Sequence, residues 1–436
     1  VFVGMGLWAM LWLNIGSSYA NLIAPHGLRG WFHAFRAVAP FLAATAGARL
    51  LSQQRGRFRL SKSGPVARMT TYGVVVLGAS FLSVASFKAL YWGGVYLCVF
   101  VVLRAIVSGA DPLRRSTQLL ITTWLIVVAH AVVLTALTHS FLFGREGHMF
   151  SGHGLINVMP DVAGFGMSRS TGVGRFAAVP AVLAFARLCH GRRGNRLLWA
   201  VTFCAFTVVV LASQARTSIF GIGAAVLLIM SVGRSKVWLF LAVGAVVLAL
   251  MAGLTLPEAV QESVMKRGAG EDLMDMSGRP AYWKRGWDIF LTSPVLGLGP
   301  LADRFHMNWE HIHNTWLLAL MSGGMVGAGF FVAAWVVAWK LLRRNFGKLA
   351  TLPPSQRCLL VEAGVVLVFF TLRSITETTA AAISVDLLII VPILTYLEVL
   401  DRRLALAEAA RLAKYHRKRT APVPVLHGPS HLGRER

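Results

Sequence analysis

The chain has 436 residues, of which 56% are hydrophobic and only 14% charged, where a soluble globular protein carries roughly 45–50% and 25%. With 42 glycines and its apolar residues gathered in long blocks, it is not a soluble enzyme, a disordered chain, a fibrous repeat or a disulfide scaffold. The expected fold class is an all-α, polytopic membrane protein. The net charge of +25 would point to nucleic acid in a soluble protein. Here most basic residues lie in short segments between apolar blocks, where they orient a membrane protein, so no nucleic-acid partner is expected.

About 20 apolar residues cross a hydrocarbon core. Counted against that length, the blocks predict twelve spans, at 2–19, 31–51, 69–87, 89–107, 117–137, 175–189, 197–213, 218–232, 237–256, 315–339, 359–376 and 381–400. The first block shows no signal-peptide cleavage pattern and stays as a helix. Alternate connecting segments carry 26 Lys and Arg on one side and 11 on the other; the excess puts the first set and both termini in the cytoplasm. Four regions follow: spans one to nine over 1–256 with an outer loop at 138–174, a large outer loop at 257–314, spans ten to twelve over 315–400, and a basic tail at 401–436. The tail, with Arg417, Lys418 and Arg419 together, reads as a solvated segment skimming the lipid surface. Cys98, Cys189, Cys204 and Cys358 lie inside or at the ends of apolar blocks, so neither a disulfide nor a sulfur-based zinc site is expected.

Polar chemistry concentrates in loop 257–314, which carries eight carboxylates, six Lys or Arg and three His. A transporter puts its polar groups at midplane in broken helices; this distribution favours an enzyme or binding surface working at the outer face. Pro257 to Arg267 reads as a short helix. A second helix starts near Ser277, with Pro280 at its first helical position. Trp283, Trp287 and Phe290 then recur at helical spacing, an aromatic stripe suited to lying in the bilayer interface. Arg279 sits where free amides of a helix N-terminus favour an anion. After the turn-rich segment Ser293–Pro300 comes Glu310-His311-Ile312-His313-Asn314. Asn314 is a plausible cap for the tenth span, which leaves His313 at the outer membrane surface. His306, His311 and His313 are also a weak metal-site pattern.

Elsewhere, the hairpin Ser213–Ser218 is short enough to hold Arg216 at the outer interface, as a snorkelling side chain or as a fixed charge for a phosphate. Arg175 and Arg373 lie near outer ends of spans, and Glu377 four residues after Arg373 suggests a local ion pair. Arg36 either snorkels or supplements this basic surface. Arg104, His130 and Arg187 receive no chemistry. Glu362, Asp386 and Glu398 are functional candidates simply as carboxylates in or beside spans.

His313-Asn314, nine residues, then Gly324-Met325-Val326-Gly327 resembles the HN-x9-GxxG signature of the O-antigen ligase family. Ser213-Gln214-Ala215-Arg216 resembles that family's arginine-bearing hairpin. Ser277-Gly278-Arg279 with Trp283 and the Pro294–Gly297–Gly299 segment is similar to the loop before its histidine. The resemblance covers residues 200–330 closely and the rest at the level of architecture.

It implies a GT-C-like glycosyltransferase of the bacterial inner membrane, metal-independent and inverting, active on the periplasmic side and needing no cofactor. The donor would be O-antigen on undecaprenyl diphosphate and the acceptor a sugar hydroxyl of lipid A–core. The outer loops contain no Asp-x-Asp pair of the sort that holds a divalent ion on a diphosphate. The leaving diphosphate gathers negative charge, which arginines stabilise bidentately. Arg216 and Arg279 are the principal candidates, with Arg285, Arg175 and Arg36 as further basic contacts. His313 is the candidate base for the acceptor hydroxyl, flanked by His311 and Asn314, and nearby arginines are expected to keep it neutral. Other readings are an O-antigen polymerase or protein O-oligosaccharyltransferase using the same donor and, from a different class, a flippase or exporter of lipid-linked oligosaccharide.

Overall fold

A computed structural model describes residues 2–15, 27–53, 60–142, 170–191, 193–213, 215–232 and 278–420. Among them the regular elements are helices: α1 (Phe2–Leu13), α2 (Gly27–Gln53), α3 (Pro65–Ala79), α4 (Ser86–Val107), α5 (Pro112–Leu142), α6 (Ser170–His190), α7 (Arg196–Ala212), α8 (Arg216–Val232), α9 (Arg279–Leu291), α10 (Ala302–His306), α11 (Thr315–Gly347), α12 (Pro354–Thr376) and α13 (Val385–Thr420). Eleven of the twelve apolar blocks hold a helix; the block at 237–256, the expected helix at 257–267 and the loop 143–169 lie outside the described residues.

Among the described residues, seven helices are long and apolar enough to cross a membrane: α2 to α6, α11 and α12. The blocks at 2–19, 197–213 and 218–232 coincide with helices of 12, 17 and 17 residues, roughly 18–26 Å at 1.5 Å per residue and so shorter than a hydrocarbon core of about 30 Å. The last span does not stop at 400. α13 runs on to Thr420, and Asp401 and Glu408 on it pair with Arg344 of α11 and with Lys348 just beyond its end, at 3.1 and 2.6 Å. The first half of the expected free tail is thus helix, docked through charges that hydropathy alone does not weigh.

α11 organises the packing around residues 278–314. It packs along α3 and touches α9, α10, α12 and α13, while α8 lies against α6 and α12. Fully buried Tyr72 of α3 fits against Gly323 and Gly327 of α11; small residues let the helices approach where lipid offers no hydrophobic drive to association. Its hydroxyl donates to the Ala381 carbonyl at 2.7 Å, and Tyr96 donates to Ala380 at 3.2 Å. These bonds tie the α12–α13 connection to the bundle.

α11 is broken at Gly324, whose φ of +60° and ψ of −167° lie in a region open essentially to glycine alone. The segment after α9 fills the break. Met321 and Ser322 carbonyls accept the Leu298 and Gly299 amides at 2.8 and 3.0 Å, and the Met325 and Val326 amides donate to Pro294 and Val295 at 2.8 and 3.2 Å. Inside a membrane each unpaired backbone group costs several kcal/mol, so the interruption persists because this segment replaces the missing helical bonds. A side chain on Gly324 would strike the Val295 carbonyl, and one on Gly297 (φ +73°) would strike the backbone of Gly323 and Gly324. The glycine spacing in the signature is therefore a backbone requirement that locks the outer loop to the helix following the histidine.

Candidate active site

Residues 310–314 run without helical structure into α11. Ile312 is fully buried, whereas the His311 and His313 side chains are 29% and 27% exposed with ring centroids 4.9 Å apart. The stretch is held at both ends. Trp283 Nε1 donates to the Ile312 carbonyl at 3.0 Å, and buried Asp303 accepts the Ile312 amide at 3.3 Å. Asn314 Oδ1 caps α11 by accepting the Leu317 amide at 2.9 Å, while its Nδ2 donates to Ile375 of α12 at 3.1 Å. His313 itself has φ +48°, a conformation that costs a non-glycine residue on the order of 1–3 kcal/mol and clusters at functional sites.

Each imidazole leans on its own carboxylate. His313 Nδ1 lies 3.1 Å from Glu377 Oε2, and His311 Nδ1 lies 2.8 Å from Asp303 Oδ2. An ionised carboxylate only accepts, so in the neutral form each histidine carries its proton on Nδ1 and presents Nε2 as an acceptor. This fixes His313 in the tautomer a general base needs.

Glu377, just beyond the end of α12, is the hub. Its Oε1 accepts from Arg279 Nη2 at 3.0 Å and its Oε2 lies 4.0 Å from Arg373 Nη2. Burial alone would raise its pKa; the His313 hydrogen bond, Arg373, the His313 charge and Arg279 outweigh it and hold the carboxyl well below its usual range, at about 2. Thr315 Oγ1 donates to the Glu377 carbonyl and accepts the Thr379 amide, both at 2.7 Å. The charge network continues inward. Arg373 lies 3.7 Å from Asp386, Arg175 lies 3.1 Å from the same carboxylate, and Arg373 Nη1 donates to Thr217 at 3.4 Å.

The sequence-predicted residues separate accordingly. Arg279 and His313 meet on Glu377, and Arg175 joins through Asp386 and Arg373. Arg216 begins α8 beside Thr217, half-buried and with no ion pair among the described residues. Gly174 admits this hairpin, since a side chain there would overlap Ser213 and Ala215. Arg285 instead pairs with Glu310 at 3.1 Å on the exposed surface. Arg36 is fully buried, donating to the Leu13 and Ile15 carbonyls at 2.8 and 2.6 Å; it caps the end of α1, so its place in the basic outer surface is corrected. The aromatic stripe of α9 also differs from expectation. Phe290 is buried and Trp283 bonds Ile312, because Gly286 lets Ile312 come close, and only Trp287 stays well exposed. The α9 cap is Gly278 at φ +75°, which puts Arg279 at the first helical position and Pro280 at the second.

Sequence reasoning missed Glu377 as more than a partner for Arg373, held Asp303 and Glu310 only as substitute bases should His313 prove a phosphate ligand, and passed over Thr378. A carboxylate at the outer limit of an apolar span, embedded in the run Thr376-Glu377-Thr378-Thr379, was the available signal. The histidines do not converge as metal ligands: among the described residues no three His, Cys, Asp or Glu are disposed to hold one ion.

Residues 199–332, just under a third of the chain, match the family described as O-Antigen ligase. No curated protein matches the sequence. The matched stretch includes Arg216, Arg279, His311, His313, Asn314 and the Gly324–Gly327 pair, and stops short of Arg373 and Glu377. Over that stretch the chain is similar to the O-antigen ligase family.

Proposed function

We propose that this protein is an O-antigen ligase, moving polysaccharide from undecaprenyl diphosphate to a sugar hydroxyl of lipid A–core at the periplasmic face of the bacterial inner membrane. The observation that carries this reading is the His313–Glu377–Arg279 arrangement: a base in a fixed tautomer and a diphosphate-binding cation share one carboxylate. His313 Nε2 takes the proton of the acceptor hydroxyl as that oxygen attacks the anomeric carbon. The bond to the diphosphate breaks on the opposite side, so the configuration inverts. Arg279 and Arg216 stabilise the charge that collects on the leaving phosphate, with Arg175 supplementing the positive field, and arginine suits this role because it stays charged and binds phosphate oxygens as a fork. Glu377 keeps the Nδ1 proton in place and stabilises the imidazolium once formed. Metal independence belongs to the proposal. Transfer by purified protein at an undiminished rate in excess EDTA supports it; loss of transfer, restored by one divalent ion, overturns it.

A polymerase would use the same base and arginines and differ only in acceptor. Lipopolysaccharide from a strain lacking the protein separates the two. Loss of all long chains with lipid-linked polymer accumulating supports the ligase, and a single repeat surviving on the core supports the polymerase.

A further inference from the structure

Beside the His313–Glu377 pair stands a second histidine–carboxylate pair that the transfer step does not use. Asp303 is fully buried, and its oxygens accept the Arg304 amide at 2.9 Å and the Ile312 amide at 3.3 Å in addition to His311. Its acceptor capacity is thus turned inward, and His311 must donate to it through Nδ1. On the far side of that ring, His311 Nε2 lies 3.2 Å from Thr378 Oγ1. With Nδ1 as the donor, Nε2 accepts, and the Thr378 hydroxyl proton points at it. The remaining lone pairs of the Thr378 oxygen are left to face outward, since Thr378 is only half-buried. The two imidazoles share one face, 4.9 Å between centroids, and Thr378 is the residue next to Glu377. This surface therefore presents two hydrogen-bond acceptors, His313 Nε2 and, through its contact with the neighbouring His311 ring, Thr378 Oγ1, each with its proton committed inward. Such a pair repels an anion and fits two adjacent O–H donors.

We infer that His311 and Thr378 form an acceptor subsite that binds the hydroxyl neighbouring the nucleophilic one, so that the acceptor is read as a vicinal diol. The inference rests on the proposed transfer reaction and specifies its acceptor. One O–H donates to His313 and loses its proton in the reaction; the neighbouring O–H donates to Thr378 and is unchanged by it. Asp303 acts through His311, as a positioning residue.

The test is steady-state transfer from undecaprenyl-diphosphate-linked O-antigen to purified lipid A–core, with donor and acceptor varied separately. Thr378→Val keeps the shape of the side chain and removes the oxygen. The expected result is an acceptor KM raised about tenfold, the loss of one good hydrogen bond, with donor KM unchanged and Thr378→Ser restoring the wild-type value. His311→Gln, which keeps a polar side chain at the position, should raise acceptor KM likewise. An unchanged acceptor KM in a folded Thr378→Val protein overturns the inference, as does a donor KM that rises equally. If wild-type protein transfers nothing to lipid A–core, the ligase reading itself fails, a result distinguishable from either of these.

Discussion

Two polar clusters interrupt the apolar helices, one at each end of α12, and they are built differently. At the end away from His313, Arg187 Nε meets Glu362 Oε1 at 2.6 Å, stacks over the Trp199 ring at 4.7 Å, and leaves the surrounding helices regular. At the His313 end, Arg175, Arg373 and Asp386 approach at 3.1 and 3.7 Å without hydrogen-bond geometry. There the backbone takes positive φ at His313, Gly324 and Ala380, and two imidazoles open outward. Sequence alone ranks the carboxylates of the two clusters, Glu362 and Asp386, equally, as ionisable residues in or beside membrane spans. Their geometry separates them: the first satisfies its own charges and joins three helices, whereas the second holds strained backbone and gathers three arginines around two carboxylates.

The largest expected effect falls on the outer cluster. His313→Ala should lower single-turnover transfer by about 10²–10⁴-fold, the usual worth of a positioned base, with thermal stability close to wild type. An unaltered rate would remove His313 as the base. The inner pair should respond the opposite way. Arg187→Ala leaves Glu362 buried and unpaired and should cost roughly 3–5 kcal/mol of stability, while transfer per folded molecule stays the same. Replacing both partners, Arg187→Met with Glu362→Leu, should recover most of that stability. Lost turnover in a stable Arg187 variant would instead assign the inner pair to function.

Two smaller effects sharpen the contrast. Gly324→Ala forces an alanine into a glycine-only conformation against the Val295 carbonyl and should cost on the order of 1–3 kcal/mol. Gly329→Ala, five residues on in regular helix with open space around its Cβ position, should stabilise by roughly 0.5–1 kcal/mol. Melting temperatures of the two variants read the difference directly; equal behaviour would mean that the break in α11 is not maintained. Acid titration probes Glu377. Because its folded pKa is depressed to about 2 from the ordinary 4.5, its contribution is complete above the ordinary value and lost as pH falls towards 2. The melting-temperature gap between wild type and Glu377→Gln should therefore narrow as pH falls from about 5 towards 2. A gap independent of pH would mean that Glu377 is not held ionised by its partners.

The sequence by itself determined the class of the molecule and much of its active segment. Runs of apolar residues marked the helices because span length and hydropathy are local properties. The histidine, the capping asparagine and the glycine pair were legible because their spacing along one chain segment is itself the geometric requirement. Partners that come from elsewhere in the chain were not legible. Glu377 reaches His313 from 64 residues away because the start of α11 and the end of α12 come together, and Asp303 reaches His311 only after α10 folds back on the segment before α11. Arg36 and the α9 aromatics carry the right residue types at the right spacing, yet packing turned them towards carbonyls and the core. Hydropathy and periodicity report what each segment can bury; which charges meet is decided by where the helix ends come to rest.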